Sequence, residues 1–303
     1  GDSFRSSADE IPRLRSDKSR LAAVHNSQAD LLRRKKDFVG ARSEFSIALE
    51  LRQQLAIPNP RPPVYRRDLA NTHNDLAGLL RDMDGLLPEA QEHYQKAVEE
   101  YEKLAETIDW TPDLASRYAD SHRQLGWIFR LKKQHELAIK HLHEAVRVLD
   151  PLTEEHLGVA SYREVAAQAW NDLGLVLQEQ RDEAGARGAF KNAIVHYRQL
   201  VKVSWIAASA RVGLGGVYCN LGALDLANEH LDDSLRNLGE AAEVLERARK
   251  DVTDDPRAST YLRNVYWTRA ELHERRKDFV MAATDWERAL ALASETRRPA
   301  YLR

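Results

Sequence analysis

A recurring spacing of small and apolar residues constrains the fold of this chain more than any other feature. In residues 170–193, the apolar positions first follow the spacing of one face of an α-helix. A polar break at residues 180–182 follows, and a second helical set comes after it. Small side chains in both sets let two antiparallel helices approach closely, and large ones fill the space around the contact. The pattern consists of Trp170, Leu173, Gly174, Leu177, Ala186, Phe190 and Ala193.

This pattern recurs along the chain, which predicts an all-α protein of about six helical hairpins. The small residue of the first helix recurs at Ala29, Ala77, Gly126, Gly174, Gly215 and Ala270. The small residue that opens the second helix recurs at Ala41, Ala90, Ala138, Ala186, Ala227 and Ala282. The interval is nearly constant as far as Ala186, shorter to Ala227 and longer to Ala282. A large residue follows four positions later, at Phe45, Tyr94, Leu142, Phe190, Leu231 and Trp286.

The pattern resembles the tetratricopeptide repeat (TPR), which reads W-x2-L-G-x2-Y and then A-x3-F. The resemblance implies a right-handed superhelix of hairpins whose first helices line a concave, peptide-binding surface. Because the interval is longer than the roughly 34 residues of the common repeat, we expect second helices that run on by one or two turns. The long period is similar to that of kinesin light chain and of TPR regions fused to bacterial Ser/Thr protein kinases. No kinase motif occurs in this chain.

The sequence predicts a single solenoid over residues 18–294, between a polar and poorly ordered lead-in (1–17) and a C-terminal tail (295–303). An atypical sixth repeat, with Arg269 and Glu271, is expected to cap it. Because the chain starts with Gly1 and its only methionines are Met83 and Met281, we expect a fragment of a longer protein. The predicted repeats span 18–56, 65–107, 112–150, 161–203, 205–247 and 258–294.

Local signals place several helix ends. Asp37 and Asp278 are expected to cap second helices, and Thr111 with Pro112 is expected to open the third repeat. A capping box at Ser161-x-x-Glu164 predicts the start of the fourth repeat. Pro151 is expected to close the second helix of the third repeat.

Composition and motifs argue against catalysis, a metal or cofactor, nucleic acid and membrane insertion. The net charge is −2, and one cysteine, Cys219, allows no intrachain disulfide. The glycine-rich stretch 213–218 lacks a preceding strand and is interpreted as a close helix contact. Histidines at His25, His73 and His122 occupy one repeat position and are interpreted as packed between repeats. The expected location is cytoplasmic, although an exported or membrane-tethered parent protein is an alternative.

Polar residues of the first helices form the predicted partner-binding face. Amides recur three residues before the small residue and offer both a donor and an acceptor to a peptide backbone. Arginines would favour an acidic ligand segment, and Trp127 is a candidate aromatic anchor. The alternative is that these side chains only keep a solvated face polar. The set is Asn26, Arg33, Asn74, Arg81, Arg123, Trp127, Arg130 and Asn171.

Two functional hypotheses follow from the resemblance. The first is a non-enzymatic interaction scaffold that binds a peptide or protein on its concave face. The second is a regulatory or substrate-recruiting segment of a larger signalling enzyme, such as a bacterial Ser/Thr kinase. A chaperone tail is not the expected ligand, because no lysine occupies the positions that would hold its carboxylate.

Overall fold

A computed structural model shows twelve α-helices that form six consecutive hairpins in the described residues, 2–58, 62–203, 206–251 and 255–293. Side chains are described from Pro12 onward, and no strand occurs within these ranges. Odd-numbered helices are the first helices of the hairpins. The helices are α1 (Asp2–Arg34), α2 (Phe38–Ala56), α3 (Pro63–Arg81), α4 (Leu87–Ala105), α5 (Pro112–Leu131), α6 (His135–Glu155), α7 (Ala160–Glu179), α8 (Glu183–Leu200), α9 (Ala207–Ala227), α10 (Leu231–Asp251), α11 (Pro256–Arg275) and α12 (Phe279–Ala291).

The chain divides into two compact units, Gly1–Val148 and Leu149–Arg303, so that the boundary falls within α6. In the N-terminal unit, Phe45 of α2 packs in one cluster with Leu76 and Leu80 of α3. In the C-terminal unit, a larger apolar cluster runs from α7 to α12. None of the described helices is both long and apolar enough to cross a membrane.

The turn inside each hairpin repeats one backbone conformation. Lys133, Arg181, Glu229 and Lys277 follow one another at a constant interval, and each has a φ between 60° and 63°. Lys36 has the same left-handed conformation, and in the second hairpin a glycine, Gly85, takes it at φ 77°. A left-handed residue ends the first helix and turns the chain into the second one.

Aspartates then cap the second helices. Asp37, Asp182 and Asp278 accept hydrogen bonds from the backbone N–H groups of Gly40, Gly185 and Met281, respectively. This confirms the predicted caps at Asp37 and Asp278, and Thr111 caps α5 in the same way. Such a cap satisfies one of the N–H groups that a helix start leaves without a partner.

The cap at Asp182 leads to a stability prediction. Asp182→Ala removes the bond to Gly185 and is expected to lower the free energy of unfolding by about 1 kcal/mol. Asp182→Asn keeps the acceptor oxygen and is expected to stay within about 0.5 kcal/mol of wild type. Urea unfolding followed by circular dichroism measures both, and an equal loss in the two variants would contradict the capping role.

Small residues mark the contact inside the hairpins, as the spacing predicts. A Cβ atom added to Gly126 would lie 2.5 Å from Leu142, and one added to Gly174 would lie 2.5 Å from Phe190. The alanines at the first-helix position, Ala29, Ala77 and Ala270, are fully buried. The backbones of paired helices therefore approach closely because nothing larger stands at these positions.

The predicted register of the fifth repeat is wrong by two helical turns. Gly222, not Gly215, is the equivalent of Gly174, since a Cβ atom on it would lie 2.7 Å from Leu238. Ala227 is the last residue of α9, and Ser234 takes the place predicted for it, donating to the carbonyl of Gly222 at 2.8 Å. A shift of seven residues keeps the same helix face, so the spacing alone allowed both registers. The corrected second-helix series is Ala41, Ala90, Ala138, Ala186, Ser234 and Ala282.

The glycine-rich stretch in α9 is a packing motif, as predicted. Cβ atoms on Gly213, Gly215 and Gly216 would lie 2.4 Å from Tyr197, 2.4 Å from Leu245 and 3.1 Å from Tyr261, respectively. Helix α9 contacts α7 and α11 as well as α8 and α10, and most of its side chains are buried. In this part of the C-terminal unit the first helices therefore cover one another.

Three local predictions are wrong, each at a helix end. Residues 2–17 form the first half of α1 rather than a loose lead-in, because polar residues such as Arg13 and Arg15 support a helix without an apolar face. Helix α7 begins at Ala160 after Val159, so Ser161 already lies in its first turn. Helix α6 continues past Pro151 to Glu155, because proline removes only one hydrogen bond of a long helix. The predicted tail, 295–303, lies outside the described residues.

Arg269, one of the two polar residues that led to the prediction of a capping repeat, lies inside the sixth hairpin. Arg269 donates two hydrogen bonds to the fully buried carboxylate of Asp285, at 2.6 and 2.8 Å. This bidentate pair joins α11 to α12. Arg269 therefore gives the last repeat no polar outer surface.

Candidate functional site

The predicted asparagines connect consecutive first helices. In the N-terminal unit, Asn26 donates to Asp75 at 3.4 Å and accepts from Arg52 at 2.9 Å. Asn74 accepts from the hydroxyl of Ser121 at 2.8 Å. The amide row therefore has a structural role between neighbouring repeats, which neither the partner-binding prediction nor the alternative of a merely solvated polar face included.

Two of these amides keep a donor for another molecule. In the C-terminal unit, the Oδ1 atom of Asn171 accepts from Asn220 at 2.9 Å. The Nδ2 groups of Asn74 and Asn171 have no hydrogen-bond partner among the described residues, and both side chains are half-buried. Each can therefore donate to a carbonyl oxygen of a ligand or to water.

The predicted arginine stripe is partly neutralised by the protein itself. Arg81 binds Asp82 at 2.7 Å and Gln124 at 2.8 Å, and Arg123 binds Asp120 at 2.8 Å. Arg33 forms no ion pair with any described residue, and its guanidinium lies beside Gly78. The net positive potential of this face is therefore lower than four arginines would give.

Trp127 lies half-buried on the same side of α5, directly after Gly126. No described residue accepts a hydrogen bond from its indole N–H. We name the set Asn26, Arg33, Asn74, Arg81, Arg123, Trp127 and Arg130 of the N-terminal unit the first-helix face.

Histidine pairs inside the hairpins are a feature that the sequence prediction missed. The Nδ1 atoms of His73 and His93 lie 2.9 Å apart, and those of His122 and His141 lie 3.0 Å apart. His25 contacts Glu44 at 2.6 Å in the first hairpin. These histidines join the first and second helix of one hairpin and do not lie between repeats. The sequence did contain a signal for these pairs, because His93 and His141 occupy the same position of two second helices.

Burial changes the proton affinity of these pairs. It lowers the pKa of His73 to about 3 and the pKa values of His122 and His141 to about 4. The second cause is the neighbouring histidine for His73 and His122, and Lys140 for His141. All three imidazoles are therefore neutral near pH 7.

Neither a reactive thiol nor a metal cluster is found in the described parts of the chain. Cys219 is buried, which raises the pKa of its thiol to about 12 and keeps it protonated near pH 7. With the register corrected, Cys219 occupies the asparagine position of the fifth repeat. No group of three or more His, Cys, Asp or Glu side chains in the described ranges is placed to hold a metal ion.

The structure resembles several solved proteins. It aligns with the nuclear import adaptor Nro1 of S. pombe with a TM-score of 0.63 and 12% identity, covering 95% of this chain and 98% of that one. It aligns with BtubC (BKLC) of P. vanneervenii with a TM-score of 0.60 and 18% identity, covering 83% and 89%.

A third neighbour is a signal transduction ATPase (STAND protein) with a tetratricopeptide repeat sensor, from Pyrococcus horikoshii. The TM-score is 0.58 and the identity 12%, and the alignment covers 95% of this chain but 39% of that one. The sequence matches no protein-family model and no curated protein. At these identities the likeness concerns the fold, and it agrees with the six hairpins and their repeated small-residue contacts: this chain has the fold of a tetratricopeptide-repeat protein.

Proposed function

We propose that this protein is an interaction scaffold whose first-helix face binds an extended or helical segment of another protein. The observation that carries the proposal is Trp127, a large half-buried aromatic side chain whose N–H has no acceptor among the described residues, on a face that also has an amide donor at Asn74. Tryptophan is enriched among the residues that dominate binding energy at protein interfaces. Amide donors suit the carbonyl oxygens of a peptide backbone.

The chemistry of the face favours hydrogen bonding and apolar contact over charge attraction. Arg81 and Arg123 are paired with carboxylates of their own chain, so a ligand would have to compete for them. Arg33 is half-buried and forms no ion pair with a described residue. An acidic residue in the ligand is therefore expected near Arg33, within a segment that need not be acidic overall.

Trp127→Ala and Asn74→Ala, combined in one variant, are expected to abolish capture of the partner. The measurement is a pull-down from the native source, read by mass spectrometry, with wild-type protein alongside. Phe279→Ala, at an exposed aromatic residue of α12, is the matched control and is expected to capture the same partner as wild type. Circular dichroism confirms that each variant is folded. Partners that the double variant retains would assign binding to another surface and overturn the proposal.

The second candidate is a regulatory or recruiting segment of a larger signalling enzyme. The observation that favours it is the likeness to a signal transduction ATPase in which the repeats are named a sensor. The length of the encoded protein and the domains joined to this chain test this directly. A kinase or ATPase domain in the same polypeptide supports this candidate, and its absence leaves the scaffold as the function.

A further inference from the structure

The outer side of α1 exposes apolar residues at positions that are buried in the contact between two repeats, here called a seam, further along the chain. Leu21, Val24 and Leu31 are 48%, 52% and 52% exposed. The equivalent residues of α3, one repeat later, are Leu69, Thr72 and Leu79, and they are buried at 4%, 0% and 0%. In α3 these positions face the preceding repeat. A shallow groove of about 400 Å³ runs along α1, and its lining includes Val24, Gln28 and Leu31.

The outer side of α12 has the complementary half of such a seam. The large residue of every other second helix is fully buried: Phe45, Tyr94, Leu142, Phe190 and Leu238 are each at most 1% exposed. Its equivalent in α12, Trp286, is half-buried and lines an open cavity of about 350 Å³ together with Trp267 and Leu290.

Internal seams show what covers such surfaces. Phe45 of α2 packs with Leu76 and Leu80 of the following first helix. In the C-terminal unit, Tyr197 of α8 approaches Gly213 of α9 in the same way. A second helix is thus covered by the next first helix, and a first helix by the preceding second helix. Solenoids that end at their last repeat usually carry a polar outer face there. The exposed residues of α1 named above are apolar, and the cavity at α12 is lined by two tryptophans and Leu290, with Arg263 and Glu287 beside them.

We propose that copies of this protein associate head to tail, with α1 of one copy covering the Trp286–Leu290 surface of another. Both halves of the seam are on this one chain, and neither is covered by a described residue. The contact continues an interface that the protein already forms between its own repeats. Because the two halves differ, the association is heterologous and joins copies head to tail, into open chains or rings, rather than into an isologous pair. The inference does not depend on the first-helix face.

Two single variants test the two halves separately. Val24→Glu places a charge in the α1 surface, and Leu290→Glu places one in the α12 surface. Wild-type protein is expected to increase in mass with concentration in light scattering coupled to gel filtration. Each variant alone is expected to stay at the 34.5 kDa of one chain. Val195→Glu, at a residue of α8 that is 57% exposed, is the matched control and is expected to behave like wild type.

Mixing the two variants distinguishes head-to-tail contact from other arrangements. Val24→Glu protein keeps an intact α12 surface, and Leu290→Glu protein keeps an intact α1 surface. An equimolar mixture is therefore expected to reach twice the single-chain mass and no more. A single variant that still forms dimers would show that like ends pair, and a mixture that fails to associate would show that the two intact ends do not bind each other; either result would overturn the proposal. Wild-type protein that stays monomeric at all concentrations would also overturn it, since another segment or protein would then be the occupant of these surfaces.

Discussion

Gly174→Leu is expected to lower the free energy of unfolding by about 3 kcal/mol or more. Even a Cβ atom at this position would lie 2.5 Å from the ring of Phe190, which is fully buried and cannot move into open space. A leucine side chain must therefore separate α7 from α8 and expose the apolar surface between them. The measurement is urea unfolding followed by circular dichroism.

Gly188→Leu is the matched control for this experiment. Gly188 lies inside α8, and an added Cβ atom would meet nothing within 4 Å. Leucine has a better helix propensity than glycine, so this variant is expected to be as stable as wild type or up to about 1 kcal/mol more stable. A similar loss in both variants would mean that the contact between Gly174 and Phe190 does not hold the hairpin together.

The spacing of small residues was sufficient to predict the fold class and the number of hairpins. It could not fix the register of α9, where Gly215 and Gly222 are seven residues apart and lie on one face. The turn carried the missing information: Glu229 follows Arg181 at the interval of the other turns and has the same left-handed backbone, although neither is a glycine. Sequence patterns favour glycine at such positions, so Glu229 gave no signal.

The repeat pattern predicts that Asn26, Asn74 and Trp127 lie on one side of the first helices, and binding at this face stays a prediction. The contacts of these residues could not be predicted. The repeat pattern could not show that Asn26 forms a hydrogen bond with Asp75, or Asn74 with Ser121, because these hydrogen bonds join different repeats. The histidine pairs were missed for a similar reason. His122 and His141 lie on different helices, and only the antiparallel packing of α5 and α6 brings them together.

These histidine pairs are expected to make the protein sensitive to acid. A hydrogen bond between two Nδ1 atoms needs one nitrogen with a proton and one without. If both rings were protonated, two N–H groups would face each other at a buried site, and neither would have an acceptor in the other ring. His73 and His122 are only 3% and 7% exposed, so water cannot solvate the charge. Their pKa values in the folded state, about 3 and about 4, are therefore well below the 6.5 of an exposed imidazole.

The direction of the pH effect follows from this difference. Between pH 6.5 and pH 4 the unfolded chain binds protons at these histidines, and the folded chain does not. Stability is therefore fully present above pH 6.5 and decreases as the pH falls, by about 3 kcal/mol per histidine between pH 7 and pH 4 at most. The combined variant His73→Gln/His122→Gln is expected to flatten the dependence of the unfolding free energy on pH in this window.

The slope, rather than the absolute stability, is the quantity to compare. A glutamine in either hairpin changes packing and lowers stability at every pH, but it cannot titrate. His143→Gln, at an exposed histidine of α6, removes one imidazole without touching a pair and is expected to keep the wild-type slope. Urea unfolding at a series of pH values between 7 and 4 gives the slope for each protein. An unchanged slope in the combined variant would mean that the buried histidines take up protons in the folded state, and that acid sensitivity comes from carboxylates instead.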